Sequence, residues 1–289
     1  GSGIVGASFV SFIVSCFNTG DISATSNTAS AYAGGIVGSS DLNGSQSPSH
    51  ISHCYSTGNM TANSSQSVST SSGIVGGARY VVIESCFSTG TVSATSSSNS
   101  NGAYAGGIIG WSWSDNGVTV KDCLALNTGG MKALGTTSEK LAGRIIGKKS
   151  NATLSNNYAS TKIQLTVGNS TSAPTTDIAA DAINGADTYL DEVAAEIAAW
   201  AGSENTKAFT AIGTAADGLL PQLKAVDSYG NDGLPTAYKN DLISGQPTDL
   251  ASSSYLASLE PLSLLASNTD LITPSFSDGK WSYKKGEGE

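Results

Sequence analysis

Charged residues are scarce in this 289-residue chain, where Asp, Glu, Lys and Arg together make up 13% of the sequence. The formal net charge is −9, and the few basic residues do not cluster. Nucleic acids are bound by clustered Lys and Arg side chains, so this composition argues against a nucleic-acid partner. Long apolar runs are also missing, because no stretch approaches the roughly 20 residues of a membrane-spanning helix. We therefore expect no membrane insertion within this sequence.

Histidine occurs only twice, and the common catalytic motifs are absent. His50 and His53 precede Cys54 in the order His-x-x-His-Cys, which is a possible set of metal ligands. The favoured interpretation is structural, because His53 fills a repeat position that is Ser or Asp elsewhere. The sequence has neither a His-Glu-x-x-His motif nor a Gly-x-Ser-x-Gly elbow. We predict a chain that is not an enzyme and that needs no metal or cofactor.

One repeat occurs five times in the first 160 residues. Each copy opens with a short apolar run bounded by glycines: Gly3–Gly6, Gly35–Gly38, Gly73–Gly76, Gly107–Gly110 and Gly143–Gly147. Each continues with a Cys-aromatic pair or its replacement: Cys16-Phe17, Cys54-Tyr55, Cys86-Phe87, Cys123-Leu124 and Asn157-Tyr158. Successive openings are 32 to 38 residues apart, a period typical of solenoids. Because one copy cannot bury an apolar face alone, we expect the copies to stack.

Each copy predicts three short strands that make one coil. In the third copy they are Gly73–Gly76, Val81–Phe87 and Thr91–Ser93, and the polar stretch 62–72 before them is expected to be a surface loop. One aliphatic position should face the core in every copy: Ile13, Ile51, Ile83, Val120 and Leu154. If side chains alternated strictly along the strand from this aliphatic position, the Cys would point outward. A bend just before the Cys would point its side chain inward instead. We favour the bend.

The four cysteines occupy the same repeat position: Cys16, Cys54, Cys86 and Cys123. Stacked strands are about 4.8 Å apart, a spacing that permits a disulfide. Residues on neighbouring rungs point the same way, however, whereas a disulfide needs converging Cβ atoms. Reduced Cys is common in protein cores, and no Cys-x-x-Cys metal spacing is present. A structural ladder of reduced cysteines is the favoured prediction, and disulfide pairing is the alternative.

The Gly-Gly-Ile-Val-Gly openings and the Cys-Tyr-x-Thr-Gly element resemble the GLUG repeats of bacterial surface proteins. Such repeats occur in large adhesins and in the non-catalytic part of immunoglobulin A protease-like proteins. The resemblance covers residues 1–163 and implies an all-β fold, a right-handed parallel β-helix of about five coils, at the cell surface. It implies no activity. The alternative architecture is antiparallel pairing within each copy, as in propeller blades or a β-sandwich.

The repeats stop after about residue 165, and three regions are predicted. They are the repeat β-helix over 1–165, a helix-containing cap over 166–225, and a linker with a C-terminal hairpin over 226–289. Apolar residues recur with helical spacing over 187–200, which makes the region after the repeats mixed α/β. The Leu-Pro-x-Leu-Lys tail at 220–224 also resembles the closing segment of the family's arrays. An Asp-Gly pair within 275–283 predicts the hairpin.

Four aromatic residues are the candidate ligand-binding residues. Trp111 and Trp113 lie just after an apolar strand, where other copies mostly have small or polar residues. Exposed indoles stack on sugar rings or anchor a protein partner. The alternative is that they cover a core edge or pack on the C-terminal segment. Tyr32 and Tyr104 lie in identical Ala-Tyr-Ala-Gly-Gly contexts that the copy between them lacks.

Together these features predict a non-enzymatic, extracellular module of adhesin type. It would act as a binding surface or a spacer, with a host glycan or surface protein as the partner. The alternative is a carbohydrate-active β-helix, but cleavage needs paired carboxylates. The charged residues of the first 135 positions are few and are not expected to be gathered by stacking. The first repeat strand is already complete at Gly3–Gly6, so we expect further repeats or a cap upstream.

Overall fold

The computed structural model describes residues 1–40, 48–113, 117–137 and 139–188, and the strand residues 209–210, 222–223, 272–277 and 280–285. The chain divides into two compact units, residues 1–229 and 230–289. The described residues of the first unit form a parallel β-solenoid, as the sequence predicts. The described part of the chain is all-β, and it includes no helix long and apolar enough to cross a membrane.

The strands follow one another coil by coil. The first coil contains β1 (Val5–Ser8), β2 (Phe12–Val14), β3 (Phe17–Asn18) and β4 (Ile22–Ser26). The second contains β5 (Ala31–Gly34), β6 (Val37–Ser40), β7 (Ser49–Ser52), β8 (Tyr55–Ser56) and β9 (Met60–Ser64). The third contains β10 (Ser69–Ser72), β11 (Val75–Ala78), β12 (Val81–Glu84), β13 (Phe87–Ser88) and β14 (Val92–Ser96).

The last two coils repeat the same order of strands. The fourth contains β15 (Ala103–Gly106), β16 (Ile109–Ser112), β17 (Val118–Lys121), β18 (Leu124–Ala125) and β19 (Met131–Gly135). The fifth contains β20 (Lys140–Gly143), β21 (Ile146–Lys149), β22 (Ala152–Ser155), β23 (Tyr158–Ser160) and β24 (Leu165–Val167). Four coils therefore have five strands each, and the first coil has four.

Short strands follow the coils. In the first unit they are β25 (Ser170–Ser172), β26 (Ala186–Thr188), and the antiparallel pair β27 (Phe209–Thr210) and β28 (Gln222–Leu223). In the second unit β29 (Ile272–Ser277) and β30 (Lys280–Lys285) pair antiparallel, at the place where the sequence predicts a hairpin. Asp187 and Thr188 at the start of the predicted helix belong to β26, and the rest of that helix lies outside the described residues.

Equivalent strands of successive coils pair in parallel and form five sheets. We name the sheets by their order along a coil: sheet A is β5-β10-β15-β20, B is β1-β6-β11-β16-β21, C is β2-β7-β12-β17-β22, D is β3-β8-β13-β18-β23-β26, and E is β4-β9-β14-β19-β24-β25. All pairs between coils are parallel, and β25 pairs antiparallel with β24. The antiparallel alternatives for the repeats are therefore wrong.

The predicted three strands per copy are wrong, because each complete coil has five. Ser69–Ser72 was expected within a surface loop, yet it forms β10 of sheet A and is fully buried. Sheet A packs against sheet E through small side chains, and Ala31, Ala33 and Ala62 belong to a separate alanine cluster there. Since only small residues fit, these strands lack the apolar alternation by which a buried strand is recognised.

The predicted aliphatic ladder is present and lies inside the solenoid. Its members occupy one register of sheet C: Ile13, Ile51, Ile83, Val120 and Leu154. All five side chains are buried in the main core. The neighbouring outward position carries Glu84 and Lys121 on adjacent rungs, and their charged groups pair at 2.6 Å. Solvent thus lies on one side of these strands and the core on the other.

The bend before each cysteine is also present. The residue at this position has a left-handed φ of 52–55° in every coil: Ser15, His53, Ser85, Asp122 and Asn156. Such a φ is uncommon for residues other than glycine, and here it reverses the alternation of side chains. Cys54, Cys86 and Cys123 are consequently buried in the core, whereas Phe17 and Tyr55 stack on the outside with ring centroids 5.2 Å apart.

The cysteines are free and form the predicted ladder. The backbone N–H of Cys16 donates to the sulfur of Cys54, and that of Cys54 donates to the sulfur of Cys86, both at 3.4 Å. In the last coil Asn157 replaces the cysteine, and its Oδ1 accepts from the N–H of Cys123 at 3.1 Å. Burial, together with the neighbouring thiols, raises the pKa of Cys86 well above its ordinary value.

Residues 170–188 close the C-terminal end of the solenoid. The carbonyl of Ile183 accepts from the N–H of Ile145 at 3.0 Å, and the carbonyl of Ala180 accepts from that of Asn157 at 2.8 Å. Strands β25 and β26 pair with the free edges of β24 and β23. Two of the five strand edges of the fifth coil are thereby paired, which is the kind of cover that the end of a solenoid requires.

Arg144 fixes this closing segment. Arg144 replaces the glycine that opens the four earlier copies, where a Cβ would clash with the next coil. At Gly73, for example, a Cβ would lie 2.4 Å from the carbonyl oxygen of Gly107. In the described part of the chain no strand pairs with the far side of β21, and the buried guanidinium pairs with Asp187 at 2.7 Å. It also donates to the carbonyls of Asn184 and Gly185 at 2.9 and 3.1 Å.

Replacing Ile83 by Ala should lower the free energy of unfolding by about 2–5 kcal/mol, because it leaves a cavity in the core ladder. Val82→Ala on the same strand is the matched control, since Val82 points outward and should cost less than about 1 kcal/mol. Urea unfolding followed by circular dichroism measures both. Equal losses in the free energy of unfolding would contradict the assignment of Ile83 to the core face of β12 and of Val82 to its outer face.

The cysteine ladder predicts an order of thiol reactivity. Cys16 is only half-buried and should react first with a disulfide reagent, while Cys54, Cys86 and Cys123 should react only on unfolding. Cys16→Ser should abolish the fast phase. Four free thiols should titrate in denaturant under non-reducing conditions. Fewer than four, or a second fast thiol in the native protein, would argue against the reduced ladder.

Candidate binding surface

The four candidate aromatic residues lie on the outer faces of two neighbouring sheets. Tyr32 and Tyr104 share one register of sheet A, on either side of Thr70. Trp111 lies in sheet B, and Trp113 directly follows that strand. Sheets A and B are joined by two residues in each coil, so their outer faces adjoin at a corner. The topology therefore brings the four aromatic residues, from the second and fourth coils, to one place.

The four rings form one continuous contact, which we call the aromatic cluster. Along it, Tyr32 contacts Trp113, Trp113 contacts Trp111, and Trp111 contacts Tyr104. The ring centroids are 5.8, 4.9 and 5.6 Å apart in that order, and the rings are tilted by 52–58°. These are the separations and tilts that aromatic pairs prefer. All four predicted residues are thus brought together.

A missing side chain makes room for the cluster. Gly77 is the partner of Trp111 on the adjacent rung of sheet B. A Cβ at Gly77 would lie 2.9 Å from Cδ1 of Tyr32 and 3.0 Å from Cη2 of Trp113. The indole of Trp113 therefore reaches across the bare backbone of the third coil to meet Tyr32. The tyrosines are two rungs apart, about 9.6 Å, which leaves space for the indoles beside them.

Two cations lie over the rings. The guanidinium carbon of Arg79 is 5.2 Å from the centroid of Trp113. The ammonium of Lys148 is 4.7 Å from the ring of Tyr104 and 5.7 Å from that of Trp111. Both arrangements are within the range of cation–π attraction. The cluster therefore combines apolar ring surface with fixed positive charge.

A hydrogen-bonded triad supports one end of the cluster. Lys148 pairs with Glu139 at 2.8 Å and donates to the hydroxyl of Tyr104 at 3.0 Å. That hydroxyl in turn donates to Glu139. Lys148, followed by the Tyr104 hydroxyl, lowers the pKa of Glu139, whereas burial raises the pKa of Tyr104. At neutral pH the carboxylate is therefore charged and the phenol keeps its proton.

The four aromatic residues differ in accessibility. Tyr32, Trp111 and Trp113 are half-buried, while Tyr104 has 2% of its surface exposed. The indole N–H of Trp111 donates to the hydroxyl of Ser150 at 3.4 Å. A ligand could therefore reach three of the rings, and Tyr104 supports them from below. The alternative that the indoles cover part of the solenoid also agrees with this packing.

Sequence reasoning missed the charged members of this surface. Lys148 is the partner of Trp111 on the next rung. Aligning the fifth copy of the repeat with the fourth would have placed Lys148 beside Trp111. Arg79 follows β11 directly and Glu139 precedes β20. The repeat pattern does not reveal either residue, because each lies just outside a strand and its position depends on where that strand begins or ends.

The three possible metal ligands in the His-x-x-His-Cys segment lie in different environments. His50 lies on sheet C, where its ring stacks on Phe12 with centroids 5.1 Å apart. His53 is buried at the left-handed bend, and Cys54 is in the core ladder. Across the residues that the structure describes, no three His, Cys, Asp or Glu side chains are placed to hold a metal ion.

The chain is similar in structure to a protein from Bacteroides ovatus described as a "putative immunoglobulin A1 protease". The TM-score is 0.53 at 24% identity, and the match covers 74% of this chain but 57% of that one, so the chain spans little more than half of its neighbour. This likeness establishes the fold. No protein-family model and no curated protein matches the chain. The GLUG assignment stays a prediction.

Gly77→Ala should disturb the aromatic cluster while leaving the solenoid folded. The new methyl group meets ring atoms that can move, so the unfolding midpoint should change little. In a Trp200→Phe, Trp281→Phe background, where Trp111 and Trp113 are the remaining tryptophans, the tryptophan emission should shift to the red. Gly76→Ala is the matched contrast, because its Cβ would lie 2.5 Å from the backbone oxygen of Gly38. It should destabilise by on the order of 2 kcal/mol. Equal destabilisation would contradict the proposed packing over Gly77.

Proposed function

We propose that this chain is a non-enzymatic module of an extracellular, adhesin-type protein, and that it binds carbohydrate through the aromatic cluster. The observation that carries the proposal is the grouping of Tyr32, Trp111 and Trp113 on one outer corner of the solenoid. Tyr32 comes from the second coil and the two indoles from the fourth, and the indoles stand where most other copies have small or polar residues. Departures from a repeat on the outer face are where specific function is expected in a solenoid.

Carbohydrate suits the chemistry of this surface. Ring faces pack against the C–H faces of sugars, and the polar edges of Tyr and Trp hydrogen-bond to hydroxyl groups. Arg79, Lys148, Glu139 and Ser150 surround the rings with donors and acceptors. Binding sites commonly combine apolar surface with a few fixed polar groups in this way. A host glycan is therefore the proposed ligand, and a surface protein is the other partner class considered.

The solenoid would act as a rigid support for the cluster. Its aliphatic and cysteine ladders hold successive coils in one register, so outer positions can vary without changing the backbone. The surface is rich in Ser, Thr, Asn and Gly and poor in charge, which supports an extracellular location. The extracellular location is itself part of the proposal.

The runner-up function is cleavage of a polysaccharide. Glycosidases use two carboxyl groups about 5–10 Å apart. Among the described contacts of the aromatic cluster, Glu139 is the one carboxylate, and it is held by Lys148 and Tyr104. This arrangement favours binding without cleavage. Release of new reducing ends from a bound glycan would favour the runner-up instead.

Trp113→Ala should weaken glycan binding at least tenfold, about 1.4 kcal/mol, because it removes the central ring of the cluster. A printed glycan array would identify the ligand, and calorimetry with the array hit would measure affinity. Tyr158→Ala is the matched control, since Tyr158 is a half-buried outer aromatic residue on sheet D, and it should bind normally.

Two results would contradict this proposal. One is an array on which the folded wild-type chain binds no glycan. The other is equal binding by the wild-type chain and Trp113→Ala, which would place the ligand elsewhere. Unfolding midpoints for all three proteins separate a lost contact from a lost fold.

A further inference from the structure

We infer that the hydroxyl group of Thr70 is the buried hydrogen-bonding group of the carbohydrate site, and that it binds the exocyclic hydroxymethyl group of a hexose unit. This contact lies within the aromatic cluster, so it rests on the proposed function. Thr70 adds to the cluster a polar group that carries neither a ring nor a charge. The contact also narrows the ligand from carbohydrate in general to chains of hexose.

Thr70 occupies an outward position of sheet A, between the two tyrosines of the cluster. Its partners on the neighbouring rungs are Tyr32 on one side and Tyr104 on the other. Gly77 lies on sheet B of the same coil, and Cη2 of Trp113 lies over it, 3.0 Å from where a Cβ would be. Rings of the cluster therefore surround the place to which the Thr70 side chain points.

The hydroxyl group of Thr70 is buried and makes no hydrogen bond. None of the surface of Thr70 is exposed, although its side chain points away from the core, so the rings cover it. Within the part of the chain that the structure describes, Oγ1 has no hydrogen-bond partner. Such a hydroxyl has lost its hydrogen bonds to water without replacing them, which is unfavourable. A ligand group that supplies the missing partner would therefore bind favourably here.

Side-chain size does not explain a threonine at this position. Ser71, the next residue, also has an unpartnered hydroxyl, but it points inward between Ala33 and Ala105, where sheet A accepts only small side chains. The other residues in the register of Thr70 are large: Tyr32, Tyr104 and Leu141. A valine would fill the same volume as Thr70 without an unpartnered hydroxyl. The hydroxyl is thus what distinguishes Thr70 from the residues that this position accepts.

A projecting group of a ligand reaches Thr70 when the indole of Trp113 tilts. Gly77 has no side chain to hold the indole, and Trp113 lies just after the end of β16, so tilting disturbs no strand. The tilted indole still presents its face to the sugar, in agreement with the weaker binding expected for Trp113→Ala. Ring hydroxyls of a pyranose are one bond from the ring, whereas a hydroxymethyl group carries its hydroxyl one carbon further. The hydroxymethyl group is therefore the arm that fits between the rings.

Oligosaccharides with and without this arm test the contact. Linear hexasaccharides of glucose, mannose, galactose and N-acetylglucosamine are the hexose probes, and xylohexaose is the matched probe that lacks hydroxymethyl groups. Calorimetry measures their binding to the full chain, and circular dichroism measures the unfolding midpoint. The variants are Thr70→Val, which removes the hydroxyl, and Thr70→Ser, which keeps it. Ser71→Ala is the control, because it removes an unpartnered hydroxyl that points inward.

The two variants of Thr70 should separate binding from stability. Thr70→Val should weaken binding of the tightest hexose probe at least about tenfold, yet raise the unfolding midpoint by a few degrees, because a methyl group replaces the unpartnered hydroxyl. Thr70→Ser should bind that probe as the wild type does, although its midpoint should fall because a buried methyl group is lost. Ser71→Ala should also bind normally. A residue that only supports the fold would lose binding and stability together.

The matched probe gives an independent measurement. The wild-type chain should bind xylohexaose at least about tenfold more weakly than the tightest hexose probe, because the Thr70 hydroxyl then stays without a partner. Thr70→Val should remove this preference, since it has no hydroxyl to satisfy.

Three outcomes would overturn the Thr70 contact. They are equal binding of the hexose probe by Thr70→Val and the wild type, equal binding of xylohexaose and the hexose probe by the wild type, and no binding of any hexose probe. The glycan array with the wild type and Trp113→Ala then shows whether the proposed function fails as well. An array glycan that Trp113→Ala no longer binds would leave the carbohydrate site in place without the Thr70 contact, whereas an array without a bound glycan would remove both.

Discussion

Backbone hydrogen bonds between successive coils hold equivalent residues of the repeat one strand spacing apart, about 4.8 Å. This register governs the rest of the structure. It places Ile83 between Ile51 and Val120, and it aligns each cysteine with the next. Since a shift of one residue would turn every inward side chain to solvent, the core and the register maintain each other.

The same register explains how a repetitive chain can carry a specific surface. Inward positions are constrained by the ladder, but outward positions are not. Gly77, Trp111 and Lys148 occupy one outward register on three successive rungs, and each makes a different contribution. The glycine leaves space, the indole fills it, and the lysine lies above the rings. The surface arises from differences between copies, whereas the fold arises from their similarity.

The sequence predicted the structure where comparing the repeats shows which positions are buried. The aliphatic ladder through Ile83 and the bend at Ser85 could be predicted, because residues that vary between Glu and Lys must face outward while their neighbours never vary in that way. Strand β10 could not be predicted, because Ser69–Ser72 carries no apolar signal in a narrow part of the coil. The aromatic residues were identifiable as unusual, but their contact with Arg79 and Lys148 depends on register and on side-chain direction together. Arg144 lies within the fifth repeat opening, and its buried role depends on the position of Asp187, which the repeat pattern does not give.

The account depends most on the claim that the aromatic cluster is a ligand-binding surface supported by the stacked coils. A crystal structure of the chain with a glycan selected on an array tests this claim directly. We expect a sugar ring in van der Waals contact, about 4 Å, with the indole of Trp113 or Trp111, and an intact glycosidic linkage. A glycan bound at a different face, or a cleaved product at a pair of carboxylates, would contradict it.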